Sequence, residues 1–349
     1  MLCTPARMVS PYALQIERLQ TRFRTGGGEV CAVHDVSLSL RRGSVLALVG
    51  ESGCGKTVTA YSILRLIRPP GRVASGHIRY FPADGGETLD LAALPSGDER
   101  LYQVRGGRIG MIFQEPMTAL SPVHTVGDQV GEVLTQHRGL TRAAARAEVV
   151  TMLRKVGLPA PERRLNQYPH ELSGGMRQRV MIAMALIGRP EILIADEPTT
   201  ALDVTLQAQI LKLIKTLCAE TGTSVLFITH DLGVVAQVAD DVAVMYLGRV
   251  VEQGTVRQVL KTPRHPYTAA LLRSLPGRSV GAGRLPALEG QVPPLGAVPS
   301  GCPFHPRCPA VVPGRCDRGD PPALQRDGAG HAAACVRLEP WPGSGEAAP

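Results

Sequence analysis

Apolar residues recur along this chain in two rhythms. Between Tyr12 and about Gln258, short apolar runs rich in β-branched residues alternate with stretches in which apolar positions return every three or four residues. VLALV (Val45–Val49), RIGMIF (Arg108–Phe113), EILIAD (Glu191–Asp196), SVLFITH (Ser224–His230) and VAVMYLGRVVEQG (Val242–Gly254) are the predicted strands. Strands separated by amphipathic helices must be buried on both faces, so the pattern predicts a parallel sheet between helical layers. Strand signals vanish between Gln114 and Gly174, where TRAAARAEVVTMLRKVGL (Thr141–Leu158) keeps a helical period and predicts an all-helical insertion. After Lys261, Pro and Gly become frequent and only HPYTAALLRSL (His265–Leu275) stays periodic, which places a boundary there.

At 349 residues the chain exceeds the roughly 250–300 at which single cores stop growing, so one large domain with a smaller appendage is expected. No apolar run approaches the ~20 residues of a membrane span; VMIAMALI (Val180–Ile187) is among the longest. The first residues carry no charged start followed by an apolar stretch, so the chain is expected to stay in the cytosol. The net charge of +8 is scattered, and with aromatics at 4% no basic, aromatic-rich groove for nucleic acid is expected. Of eight cysteines, Cys3, Cys31, Cys54 and Cys218 are isolated, whereas Cys302, Cys308, Cys316 and Cys335 crowd together near the C-terminus. In a reducing compartment such a cluster points to metal before disulfides.

The stretch Gly50-Glu51-Ser52-Gly53-Cys54-Gly55-Lys56-Thr57, followed by Val58, fits the phosphate-binding loop G-x-x-x-x-G-K-[ST] between a strand and a helix. Glycines let successive N–H groups turn toward phosphate oxygens, and the helix N-terminus adds partial positive charge. Lys56 is then placed for the β- and γ-phosphates and the Thr57 hydroxyl for Mg²⁺. EILIADEP supplies a buried strand ending in Asp196, a candidate for holding Mg²⁺ through water, with Glu197 as the candidate base for an attacking water. Two matching halves 140 residues apart, in the right order, indicate a P-loop nucleotide hydrolase, a class that still includes kinases, helicases and switches.

ELSGGMRQR (Glu171–Arg179) opens a second helix, and alone its Ser173 reads as an ordinary N-cap. In context, LSGGMRQR, then the EILIADEP strand, then TALD resembles the signature region of ATP-binding-cassette (ABC) ATPases, over nearly all of residues 12–260. The resemblance implies an α/β P-loop cassette: a RecA-like core, an antiparallel β subdomain and a helical insertion at about 115–175. Phe23 is similar to the aromatic that stacks on adenine, and Gln114 to the glutamine that senses the γ-phosphate and Mg²⁺. Ser173, Gly174, Gly175 and Gln178 correspond to the signature, Asp203 to the D-loop aspartate, and His230 to the switch histidine on the γ-phosphate. Met176, Thr200 and Cys54 depart from the commonest form without removing Lys56, Asp196, Glu197 or His230. Near a helix N-terminus, the Cys54 thiol is expected to have a lowered pKa and to be open to alkylation.

HPYT, Gly290, Pro293 and G-C-P-F-H-P-R-C resemble the C-terminal extension of oligopeptide and dipeptide importer ATPases, a group that includes nickel importers. The organisation expected is a tail over 1–11, the cassette over 12–260 and a cysteine-containing domain over 261–349. The four clustered cysteines are separated by five, seven and eighteen residues, unlike the C-x₂-C of zinc fingers or ferredoxins. Three readings stand: a [4Fe–4S] cluster, as the resemblance implies, a structural zinc, or reduced thiols. The resemblance further implies a cassette dimer, more often with a second, different ABC ATPase subunit than with a copy, two permease subunits, and an extracellular binding protein. The chain would lie peripherally on the cytoplasmic face of the membrane, coupling ATP hydrolysis to peptide uptake. The rival class is a soluble ABC ATPase acting on nucleic acid or ribosomes, whose paired cassettes or coiled-coil insertions are not visible here.

Overall fold

The computed structural model describes residues 10–200, 202–275 and 290–337. The expected tail over 1–11 lies outside them save its last two residues, as do Cys3 and Ala201 of TALD. In chain order the strands are β1 (Tyr12–Thr25), β2 (Gly28–Arg41), β3 (Val45–Val49), β4 (Gly71–Tyr80), β5 (Leu89–Asp90) and β6 (Ile109–Ile112). They continue with β7 (Ile192–Asp196), β8 (Ser224–Thr229), β9 (Asp241–Tyr246), β10 (Arg249–Thr255), β11 (Gln325–Arg326) and β12 (Ala332–Ala333). The chain divides into two compact units. Among the described residues no helix is long and apolar enough to cross a membrane.

The first unit takes the described residues of Met1–Leu14, Leu40–Ser44 and Tyr80–Ile228. Here β6, β7 and β8 run parallel, Ile109 opposite Ile192 and Ile192 opposite Ser224. Every position of β7 and β8 is buried, as continuous apolar runs in a covered parallel sheet require. Among the described residues no strand intervenes between β6 and β7, as the lost strand signal predicts. The helix Val126–Arg138 starts where Thr125 accepts from Asp128 N and stops at Gly139, φ +61°. Thr141 then caps Arg142–Lys155, and the two helices bury Val130 and Leu134, Ala145, Val149 and Leu153.

The second unit takes Gln15–Ser39, Val45–Arg79 and the described residues from Thr229 on. β2, β1 and β4 lie side by side in that order, and β3 pairs parallel with β9, Leu46 opposite Asp241. VAVMYLGRVVEQG is not one strand but the hairpin of β9 and β10, with a bulge between Val250 and Glu252. Leu247 and Gly248 both have positive φ (44° and 78°), the backbone of a tight hairpin turn, and this turn splits the apolar run. β12, from the cysteine-bearing segment, adds antiparallel to β10, Glu252 opposite Ala333.

What fastens that segment is an apolar core with a polar inset. Tyr246, Tyr267 and Phe304 pack with ring centroids 4.7–5.4 Å apart, and Phe304 is 1% exposed. Fully buried Glu252 accepts from the N–H groups of Arg264 (2.8 Å) and His265 (2.9 Å) and from His331 Nε2 (2.8 Å), so its charge is satisfied from three sides. His265 caps the helix Pro266–Arg273 through Nδ1, which accepts from Tyr267 N. Burial lowers the His265 pKa from 6.5 to about 4, with Glu252 acting the other way. The unfolded chain therefore binds the proton first: stability is full above about pH 6.5 and falls by about 3 kcal/mol as pH drops toward 4. His265→Asn, whose side-chain oxygen can still accept from Tyr267, should show a smaller loss of melting temperature between pH 6.5 and 4 than the wild type. Equal pH slopes in circular-dichroism melts would remove His265 as the cause.

Candidate active site

The phosphate-loop candidate leaves β3 at Gly50 and ends in the first turn of the helix Lys56–Ile63. A Cβ at Gly50 would collide with the Met245 carbonyl and Cys54 Sγ, and Gly55 stands at φ +102° against the Ala32 carbonyl, so both positions require glycine. Lys56 is 5% exposed, and its Nζ donates to the carbonyls of Gly50 (2.8 Å) and Glu51 (3.0 Å), which folds the ammonium back over the loop. Ser52 and Gly53 are exposed, whereas Thr57 and Val58 are half-buried. Glu51 is held from far along the chain: its N–H donates to Tyr267 Oη (2.9 Å), and its carboxylate accepts both arms of the Arg307 guanidinium. Phe23 is half-buried on β1, its ring packed where Gly71 leaves room. His230 is exposed, and Asp231 beside it caps the helix Leu232–Val238.

In the first unit, β7 delivers Asp196 (0% exposed) and Glu197 (8%) at its C-terminal end. Glu197 has φ +46°, a left-handed backbone that costs a residue with a side chain roughly 1–2 kcal/mol. The turn is fixed by its N–H donating to Ile228 O (2.9 Å). Its Oε2 accepts from Thr200 Oγ1 (2.8 Å) and Gln114 Nε2 (3.4 Å), so Gln114, Glu197 and Thr200 form one constellation. Ser173 stands at the N-cap of Gly174–Leu186, exposed, but its side chain makes no capping bond. Gly174 is exposed and Gly175 half-buried; Gln178 is buried and donates to the Pro198 carbonyl, which ties the signature helix to the turn after β7. Asp203 caps Val204–Thr221, accepting from Leu206 N at 2.9 Å. Thr200 was legible only as a departure from the D-loop pattern, and Arg307 only as a letter in H-P-R-C.

Cys302, Cys308, Cys316 and Cys335 line one pocket with His265, Phe304 and His305. Burial pushes the Cys302 thiol up to about 11 and raises Cys308 and Cys335 too, so a metal would have to displace protons there. Among the described residues no group of three or more His, Cys, Asp or Glu side chains is arranged to hold a metal, so neither a zinc nor an iron–sulfur site is shown.

Residues 33–200 match the family described as ABC transporter, and residues 251–316 match the oligopeptide/dipeptide transporter C-terminal region. The dipeptide transport ATP-binding protein DppD of Bacillus subtilis is 51% identical over 315 residues, 88% of this chain and 92% of that protein. The oligopeptide transport ATP-binding protein OppD of Salmonella typhimurium is 44% identical over 334 residues, 96% of each chain. The chain belongs to the ABC transporter family. Among solved structures, the dimeric post-hydrolysis state of the ATP-binding cassette MJ0796 bound to ADP and Pi matches with TM-score 0.61 and 28% identity. It covers 70% of this chain and 99% of that one. The fold is therefore an ABC cassette, mixed α/β with an antiparallel β subdomain, and the chain is an ABC-type ATPase.

One expectation about this ABC ATPase is overturned. Cys54 is 1% exposed, and burial raises its thiol pKa, with Lys56 opposing. The helix N-terminus favours a thiolate, but the missing solvation outweighs it. Cys54 in the folded protein should react with a maleimide at least about tenfold more slowly than in urea, by peptide mass spectrometry; equal rates would show that the thiol is open.

Proposed function

We propose that this chain is the ATP-hydrolysing subunit of a membrane importer of peptides, working at the cytoplasmic face. The observation that carries the reading is the union, in one chain, of an ABC cassette with an oligopeptide/dipeptide transporter C-terminal region, matched along nearly their full length by dipeptide and oligopeptide transport ATP-binding proteins. Its partners in this reading are two permeases, a second and different ABC ATPase subunit, and an extracellular peptide-binding protein acting through the permeases. Large apolar side chains exposed in the helical insertion, Met117, Val123 and Tyr168, support a docked permease.

In this reading Phe23 stacks on adenine, and the N–H groups of the 50–58 loop with Lys56 take the phosphates. Thr57, Gln114 and Asp196 would hold Mg²⁺, which neutralises charge building on the phosphate oxygens. Glu197 takes the proton of the attacking water, its carboxylate aimed by Thr200 and Gln114. His230 contacts the γ-phosphate. The exposed, uncapped Ser173, with Gly174 and Gly175, meets nucleotide on the partner cassette; Gln178 shapes that helix and Asp203 the turn facing the partner. ATP thus joins two cassettes, and loss of its γ-phosphate lets them separate.

The pocket lined by four thiols is the place where a [4Fe–4S] cluster would sit. All-sulfur lining suits iron–sulfur clusters and zinc alike, and the lack, among the described residues, of a group arranged to hold a metal favours neither of them over reduced thiols. Protein purified without oxygen should contain iron and acid-labile sulfide with broad visible absorption. Stoichiometric zinc would reassign the pocket, and neither metal would leave reduced thiols.

Glu197→Gln should lower ATP turnover by about 10²–10⁴ while nucleotide binding persists; turnover at the wild-type rate would remove Glu197 as the base. In liposomes with its permeases, the wild type should hydrolyse ATP faster when peptide-loaded binding protein is added. Stimulation by nickel instead would reassign the substrate.

A further inference from the structure

A loop that binds a polyanion here carries a carboxylate. Glu51 is the only acid in GESGCGKT, and a negative charge beside a triphosphate opposes binding unless something compensates it. That compensation comes from 256 residues away. Arg307 donates through one arm to Glu51 Oε2 (2.7 Å) and through the other to Oε1 (3.0 Å), the two-pronged geometry that matches guanidinium to carboxylate. The pair is sheltered: side-chain exposure is 4% for Arg307 and 28% for Glu51. The guanidinium carbon lies 5.9 Å from the centroid of the Tyr246 ring. Its backbone is fixed on both sides, since Arg307 N donates to Phe304 O (3.0 Å) and Cys308 N to His305 O (3.2 Å).

The backbone of Glu51 is held as well. Its N–H donates to Tyr267 Oη, and its carbonyl accepts from Lys56 Nζ. Burial keeps the Tyr267 hydroxyl protonated. The amide of Glu51 is therefore committed to the C-terminal region, while the carbonyl anchors the lysine expected to reach the phosphates.

We propose that Arg307, in the C-terminal extension, is a positioning residue for ATP: it neutralises and restrains Glu51 so that the phosphate loop presents net positive charge to the nucleotide. The extension thereby completes the nucleotide site in cis. This rests on the reading of residues 50–57 as the phosphate loop and adds a residue outside every nucleotide-binding motif of the chain. Arg307 does not touch the reacting atoms and acts through Glu51.

The test measures binding of a fluorescent ATP analogue and steady-state ATPase kinetics on the full chain. Arg307→Met should raise the Kd and the KM for ATP about tenfold while kcat changes less than about twofold, because the exposed carboxylate repels substrate before the chemical step. Arg307→Lys, which keeps the charge and loses the fork, should weaken binding about threefold. The deciding variant is the double substitution Arg307→Met with Glu51→Gln: with the carboxylate gone, the Kd should return to within about threefold of the wild type. Wild-type affinity in Arg307→Met, or a double variant as weak as Arg307→Met alone, would overturn the inference, because a packing role would not be rescued by neutralising Glu51. If Arg307→Met does not fold, the Arg307→Lys loss and its relief by Glu51→Gln decide in the same way. A wild-type chain that bound no ATP would overturn the loop assignment itself, and this inference with it.

Discussion

The contact of Tyr246, Tyr267 and Phe304 is the constraint on which the second unit depends. Each ring comes from a different stretch: the end of β9, the HPYT helix and the cysteine-bearing extension. Aromatic pairs of this kind contribute roughly 0.5–1.5 kcal/mol each beyond the area they bury. Their greater effect is geometric. With Phe304 fixed in the core, Arg307 three residues on is delivered to Glu51, and Cys302 and Cys308 on either side are brought to one pocket. Chemistry of the loop and chemistry of the thiols therefore share one scaffold.

The constellation of Gln114, Glu197 and Thr200 in the first unit follows a different logic, that of a strained turn held by its surroundings. Glu197 adopts a left-handed backbone immediately after a fully buried strand, and its carboxylate is oriented by two donors. A residue placed in this way gives up stability so that its side chain points in one direction before substrate arrives, the preorganisation that the proposed role of a base requires. Ser173 shows the complementary case. It occupies the cap position, yet its hydroxyl is not drawn into capping and stays on the surface.

Much of this was legible in the letters. The short apolar runs, the G-x-x-x-x-G-K-T loop and the helical insertion all rest on local periodicity or fixed spacing, and the structure reproduces them. The hairpin of β9 and β10 was read as one strand because Leu247-Gly248 is not a polar turn; only its positive φ values reveal the break. Cys54 was misjudged because a helix N-terminus is visible in sequence, whereas a thiol's depth is not. Arg307 and Thr200 were missed for a similar reason: the meaning of each lies in a partner that spacing does not announce, 256 residues away in one case. Ser173 and Gln178 share one motif, but which side chain faces outward and which is buried appears only in three dimensions.

The pairing of β12 with β10 has a consequence for biosynthesis. Ala332 and Ala333 lie far beyond β10 in sequence, yet they pair with it in the unit that contains residues 50–57, and His331 beside them closes the ring of donors around Glu252. As the polypeptide leaves the ribosome, that buried carboxylate lacks one of its donors until His331 has been made. Domains ordinarily settle one after another from the N-terminus during synthesis. Here the unit that holds the Gly50–Thr57 loop cannot close until the stretch around His331 has emerged, so its folding waits on residues far downstream of the loop.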